Sequence, residues 1–182
     1  MRVRLRGNDK VLMTQSMHFE SLVAHLPMPI KRIAPDVRGD RYRVGIVLSR
    51  FNPAIGDGLL AGALRGLKDA GVIDDRVTVV TVPGALEAPL ALQRLAQTSD
   101  YHALVALGAV IRGDTYHFEI VCNESASGLT SVALEFGIPI GNGILTCDTE
   151  AQARARMDQK GFEAAQAAIE LANLFHAIDD AD

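Results

Sequence analysis

HALVALGAVI (residues 102–111) is an almost unbroken apolar run, and its reading decides the fold. A strand of this composition has no solvent face, so it is buried on both sides, as the strands of parallel sheets are. Working outward, two Val-rich runs precede it, YRVGIVL (42–48) and RVTVVTV (76–82), and PIGNGILT (139–146) follows it. Longer amphipathic or Ala-rich segments separate these runs. PAIGDGLLAGALRGLKDAG (53–71) reads as a helix with Pro in its first turn and Gly71 at its end. Further helices are expected over about 85–98 and 117–136, and two more, over about 149–157 and 161–178, close the chain. The alternation predicts an α/β domain: a three-layer α/β/α sandwich whose middle layer is an open, four-stranded parallel sheet.

Composition bounds what such a domain does. The 182-residue chain is long enough for one domain with a core that needs neither disulfides nor metal. Its 48% hydrophobic content is interrupted by charge throughout, and no stretch approaches the roughly 18 apolar residues of a membrane span. Cys122 and Cys147 stand 25 positions apart outside any CxxC or CxxH context, which gives no metal site and favours reduced thiols in the cytoplasm. The formal charge of −4 is unevenly spread. Residues 1–43 hold nine Lys/Arg against four Asp/Glu, and residues 44–182 hold nine against eighteen. An acidic body argues against nucleic acid as a partner. The domain is expected over 42–182, preceded at 1–41 by a basic, disordered extension or an upstream start with Met13 or Met17 as initiator. Organelle targeting fits less well, because that tail has only three Ser/Thr. The sequon at Asn123 has no secretion signal to make it meaningful.

Ligands of open parallel sheets sit outside the carboxyl ends of the strands, which selects SRFNP (49–53), VPGALEAP (82–89), IRGDTYH (111–117) and TCDTE (146–150). The third is the most informative. After the strand ends at Ile111, Arg112-Gly113-Asp114-Thr115 turn the chain and His117 opens a helix. Backbone N–H groups and the Thr115 hydroxyl are thereby placed to receive an anion. His117 brings a side chain that ordinarily exchanges a proton near neutrality, although a surface histidine at a helix start would look the same. Glu87 suits the hydroxyls of a polyol, or simply the positive end of the following helix. Phe51 is placed to stack on a planar heterocycle or to pack on the core, and Asn52 to hydrogen-bond or cap the helix. Arg156 and Lys160 are candidate phosphate ligands or solvated cations. Gly56, Gly58 and Gly62 imitate a dinucleotide fingerprint, but the spacing GxGxxxG begins inside the helix rather than at the strand end.

Taken in order, SRFN, VPGALEAP, LGAVIRGDTYHFEIVCNESASG, GILT and AAIELANL, covering about 42–175, resemble the successive blocks of the lumazine synthase family. The IRGxTxH block followed by VCNE is the most specific. The resemblance implies a flavodoxin-like fold and condensation of 5-amino-6-(ribitylamino)uracil with 3,4-dihydroxy-2-butanone 4-phosphate, giving 6,7-dimethyl-8-ribityllumazine, phosphate and water, with no cofactor. It implies that Phe51 stacks on the pyrimidine, that Val110 and Ile111 line it through their backbone, and that Ala85 and Glu87 bind the ribityl chain. Gly113, Asp114 and Thr115 would hold the phosphate, with Arg156 and Lys160 reaching it from a neighbouring subunit. His117 would carry protons.

Three departures from the family pattern bear on these expectations. Leu86 stands where many relatives have Phe, and Asn142 where an aromatic often covers the heterocycle from the adjacent subunit. The link Met157–Gly161 (MDQKG) is shorter than in shell-forming relatives, which implies an isolated homopentamer with its sites at subunit interfaces. A relative that binds lumazine or riboflavin without turnover is the alternative. The joint presence of His117, Thr115, Glu87 and Arg156 argues against it.

Overall fold

A computed structural model describes residues 31–180, and a compact body begins at Ala34. Its elements are β1 (Val44–Ser49), α1 (Pro53–Asp69), β2 (Val77–Val82), α2 (Ala88–Gln97), β3 (Ala103–Ile111), α3 (His117–Phe136), β4 (Ile140–Cys147), α4 (Glu150–Arg154) and α5 (Met157–Asp179). The strands form one parallel sheet in the order β2-β1-β3-β4. In register, Val44 of β1 pairs with Val77 and Ala103, and Leu104 of β3 pairs with Ile140.

Period-2 alternation divides each strand between two cores. Val44, Ile46 and Leu48 of β1, with Val105 and Leu107 of β3, face α1 and α5, where Ile55, Leu59, Leu67 and Ile169 are buried. Val47, Leu104 and Ala106 face the other way, onto Leu92 of α2 and Leu129 and Val132 of α3. The result is the expected α/β/α sandwich. The central strands β1 and β3 are buried almost throughout, whereas β4 at one edge alternates and β2 at the other is largely exposed.

The small residues of α1 explain the false fingerprint. A Cβ on Gly62 would lie 2.0 Å from the Asp158 carbonyl oxygen, and one on Gly161 would lie 2.0 Å from that of Leu59. A Cβ on Gly58 would fall 2.4 Å from Met157 Sδ. Gly62 and Gly161 let α1 and α5 touch backbone to backbone, and Gly58 makes room for the Met157 side chain, so these two α1 glycines serve helix packing. The two helices are also joined by Arg65 and Asp158, with 2.9 Å between Nη2 and Oδ2.

Several local expectations are corrected. The helix expected over 85–98 is a 3-10 turn at Ala85–Glu87 followed by α2, with Pro89 in its first turn. MDQKG is no link but the opening turns of α5, separated from α4 only by Ala155 and Arg156. Asn52 makes no side-chain cap: it adopts a left-handed backbone (φ 57°) and donates from Nδ2 to the Ala109 carbonyl at 3.0 Å. Gly71, just past α1, has the positive φ of 86° that favours glycine.

The extension expected over 1–41 lies mostly outside the described residues. Near its end, Asn173 Nδ2 donates to the carbonyls of Asp36 and Arg38, and Gly39 N–H donates to Ala70. Among the described residues, no helix is long and apolar enough to cross a membrane.

Candidate active site

The carboxyl ends of β1, β2 and β3 open onto a cavity of about 350 Å3. Each wall comes from one of the loops selected above. Phe51 follows β1, Ala85, Leu86 and Glu87 follow β2, and Val110, Ile111, Gly113, Thr115 and His117 lie at the end of β3 and start of α3. Hydrogen bonds brace the loops: Arg50 N–H donates to the Val82 carbonyl at 2.9 Å, and Asn52 ties the first loop to β3.

Phe51 is 71% exposed, so it is not a core residue; its ring is an apolar plate at the cavity mouth. The Glu87 carboxylate folds back over Gly84, with Oε2 3.0 Å from where a Cβ would sit. A Cβ on Gly113 would meet nothing within 4 Å, so its missing side chain leaves room for a ligand and relieves no clash. Helix α3 begins without a side-chain cap, and in its first turn the Phe118 N–H donates to the Thr115 carbonyl at 3.4 Å. His117 stands at this point. Asp114 is exposed on the same turn and does not line the cavity.

The remaining three candidates lie elsewhere. Asn142, Arg156 and Lys160 line a separate depression of about 370 Å3 beside the edge strand β4. Arg156 donates to the Gln152 carbonyl at 2.8 Å, Lys160 Nζ pairs with Glu163 at 2.6 Å, and Asn142 Oδ1 accepts from Ile144 N–H at 3.0 Å. The chain therefore presents two separate concavities. The first has the apolar plate, a carboxylate, an imidazole and a helix start, and among the described residues no Lys or Arg lines it; the second has the cations.

Some lining residues were missed by sequence reading. Val121 and Phe118 also face the first cavity; Val121, four residues after His117, shares its helical face and is accessible to a periodicity argument. Gly84 and Ala109 are seen only once the loops are in place. Arg112 was also passed over. It donates to Asp148 from Nε at 2.8 Å, pairs with Glu119, and places its guanidinium carbon 4.1 Å from the Phe118 ring centroid. These carboxylates raise its proton affinity, and Arg112 in turn holds Glu119 below the ordinary carboxylate value.

An open parallel sheet with a concave, aromatic-flanked cavity at its carboxyl edge defines an α/β protein with a candidate small-ligand site at that edge. Residues 41–176 match the family model described as 6,7-dimethyl-8-ribityllumazine synthase. The chain belongs to that family. It is 52% identical over 155 residues to the 6,7-dimethyl-8-ribityllumazine synthase of Paraburkholderia phymatum, covering 85% of this chain and 90% of the relative. Proteins of the same name from Burkholderia mallei and Burkholderia pseudomallei are 52% identical over 152 residues, covering 84% of this chain and 88% of each relative.

Proposed function

We propose that the protein is a transferase of riboflavin biosynthesis that forms 6,7-dimethyl-8-ribityllumazine, phosphate and water from 5-amino-6-(ribitylamino)uracil and 3,4-dihydroxy-2-butanone 4-phosphate. The observation that carries this reading is the division of the site. Cavity residues suited to a heterocycle and a polyol surround an imidazole, while the cations suited to a phosphate stand on a second face of the same chain. Two half-sites of complementary chemistry make one site when copies of the chain meet.

In this reading Phe51 stacks on the pyrimidine beside the backbone of Val110 and Ile111, with Leu86 as a smaller apolar contact. Ala85 and Glu87 receive the ribityl hydroxyls. Gly113, Asp114, Thr115 and the start of α3 hold the phosphate, neutralised by Arg156 and Lys160 of the adjoining subunit, whose Asn142 covers the heterocycle less fully than an aromatic would. The amine of one substrate adds to the carbonyl of the other and water is lost to give an imine between them, so no enzyme lysine is needed. His117 moves the protons as the first water and then phosphate depart, and the ribitylamino nitrogen closes the second ring on the remaining carbonyl with loss of a second water. Holding two reactants in register supplies much of the acceleration, with general acid–base help of about 10²- to 10⁴-fold.

The assembly is read as a homopentamer in the cytoplasm. Mixing purified protein with both substrates tests the activity directly: lumazine absorbance and fluorescence should rise faster than in the uncatalysed mixture. Tight binding of the pyrimidine without acceleration would instead indicate a binding protein and overturn the reading.

A further inference from the structure

The two half-sites of one subunit are not independent, because a single guanidinium lies between them. Arg112 follows the last residue of β3, and its N–H donates to the Cys147 carbonyl at 2.9 Å, extending the pairing of β3 with β4 by one step. Its side chain has three partners on two segments. Phe118 and Glu119 belong to the first turn of α3, and Asp148 belongs to the turn between β4 and α4. Phe118 lines the first cavity, beside His117.

From Asp148 the connection runs on. Asp148 N–H donates to Gln152 Oε1 at 2.9 Å, and the Gln152 carbonyl accepts from Arg156 Nη1 at 2.8 Å. Gln152 and Arg156 both line the second depression. An unbroken series of contacts thus leads from the helix start that carries His117 to the guanidinium of Arg156.

The geometry points to Arg112 as a positioning residue that, through Asp148 and Gln152, orients Arg156, the cation that its own subunit offers to the adjoining site. An exposed ion pair contributes little by itself. Arg112 differs because its planar fork engages two carboxylates from separate segments while its face lies on an aromatic ring, an arrangement that fixes direction as well as distance. Lysine, a point charge on a flexible stem, cannot reproduce it. Arg112 itself touches no substrate in this scheme.

The inference rests on the proposed phosphate role of Arg156, and the test separates the two. Steady-state kinetics are measured for the full chain and for Asp148→Asn, Arg112→Lys and Arg156→Ala, with inorganic phosphate as a competitive probe. Asp148→Asn keeps the side-chain size and the Asp148 N–H bond to Gln152, but weakens the Arg112 contact. Expected for Asp148→Asn and Arg112→Lys are a roughly 3- to 10-fold rise in KM for the phosphate substrate and a similar weakening of phosphate inhibition, from loss of a charge-assisted contact. The KM for the pyrimidine should change less than about 2-fold, within the scatter of a surface substitution. The double variant should be no worse than the weaker single one, as coupled residues require.

A merely structural role would reduce the active fraction, lowering apparent kcat and leaving both KM values unchanged; that result overturns the inference. A raised KM in Arg156→Ala with none in Asp148→Asn overturns the inference alone. An unchanged KM in Arg156→Ala removes the phosphate role, and the inference with it.

Discussion

His117 is one of several polar residues at the carboxyl edge of the sheet, and what distinguishes it is company. The imidazole stands at the start of α3 and lines the same cavity as Glu87 and Phe51. Replacing it by Ala is expected to lower kcat by about 100-fold or more, the lower range for a positioned acid–base group, with a smaller change in pyrimidine binding, because the stacking and polyol contacts remain. Comparing turnover with equilibrium binding of the pyrimidine checks this, and unchanged turnover would remove His117 from the chemistry. The residue scale also shows what a motif conceals. Arg112 lies inside the IRGDTYH block, yet Asp148 is 36 positions away, so its bridging role is invisible until β3 and β4 are paired. Asn142 is the opposite case: its departure from the family pattern was visible in the chain, and its side chain is engaged by the backbone of its own strand.

Between elements, α1 and α5 provide the sharpest contrast. Alanine is favoured over glycine in a helix interior by about 1 kcal/mol, so Gly→Ala would stabilise α1 wherever space allows. At Gly56 it does, since the nearest atoms to a Cβ are 3.4 Å away. At Gly62 a Cβ would sit 2.0 Å from a backbone oxygen, and overpacking of about 1–3 kcal/mol or more outweighs the propensity gain. Urea unfolding should therefore show Gly62→Ala destabilised and Gly56→Ala neutral or stabilised; equal effects would refute the packing account.

The same helix pair carries an acid-labile contact. Hydrogen bonding to Arg65 holds Asp158 below its ordinary value of 3.8. Its stabilising contribution is complete above that ordinary value and is lost as pH falls through the lower folded-state value. Asp158→Asn should make the unfolding midpoint less dependent on pH over that acid range, by a small amount because the pair is exposed. A pH profile parallel to that of the parent would contradict the assignment.

At the scale of the whole molecule, the division of the site sets the expectation for assembly. Under the proposed function, a cavity that no described Lys or Arg lines would be completed by the depression that holds Arg156 and Lys160, with a ring of copies bringing one to the other. Sedimentation should give a species of about five times the 19.5 kDa chain; a monomer or a sixty-subunit shell would overturn the pentamer. The strand and helix order and the four loops at the carboxyl edge were all legible in the chain, because hydrophobic period and turn chemistry are local properties. So was the grouping of Phe51, Glu87 and His117, because parallel strands bring their carboxyl ends to one edge. Other features depended on neighbours distant in sequence. VTVVTV reads as a strand, but its exposed place at the sheet edge was not legible, because strand order is set by how the helices pack. Gly62 of α1 acquires its meaning only from the backbone of α5. The separation of Arg156 from His117 follows from the path of β4, which places Arg156 on another face. Local sequence thus determined the elements and the chemistry each loop can offer, whereas tertiary packing decided which of those loops share a cavity, since only long-range pairing brings distant residues within contact range.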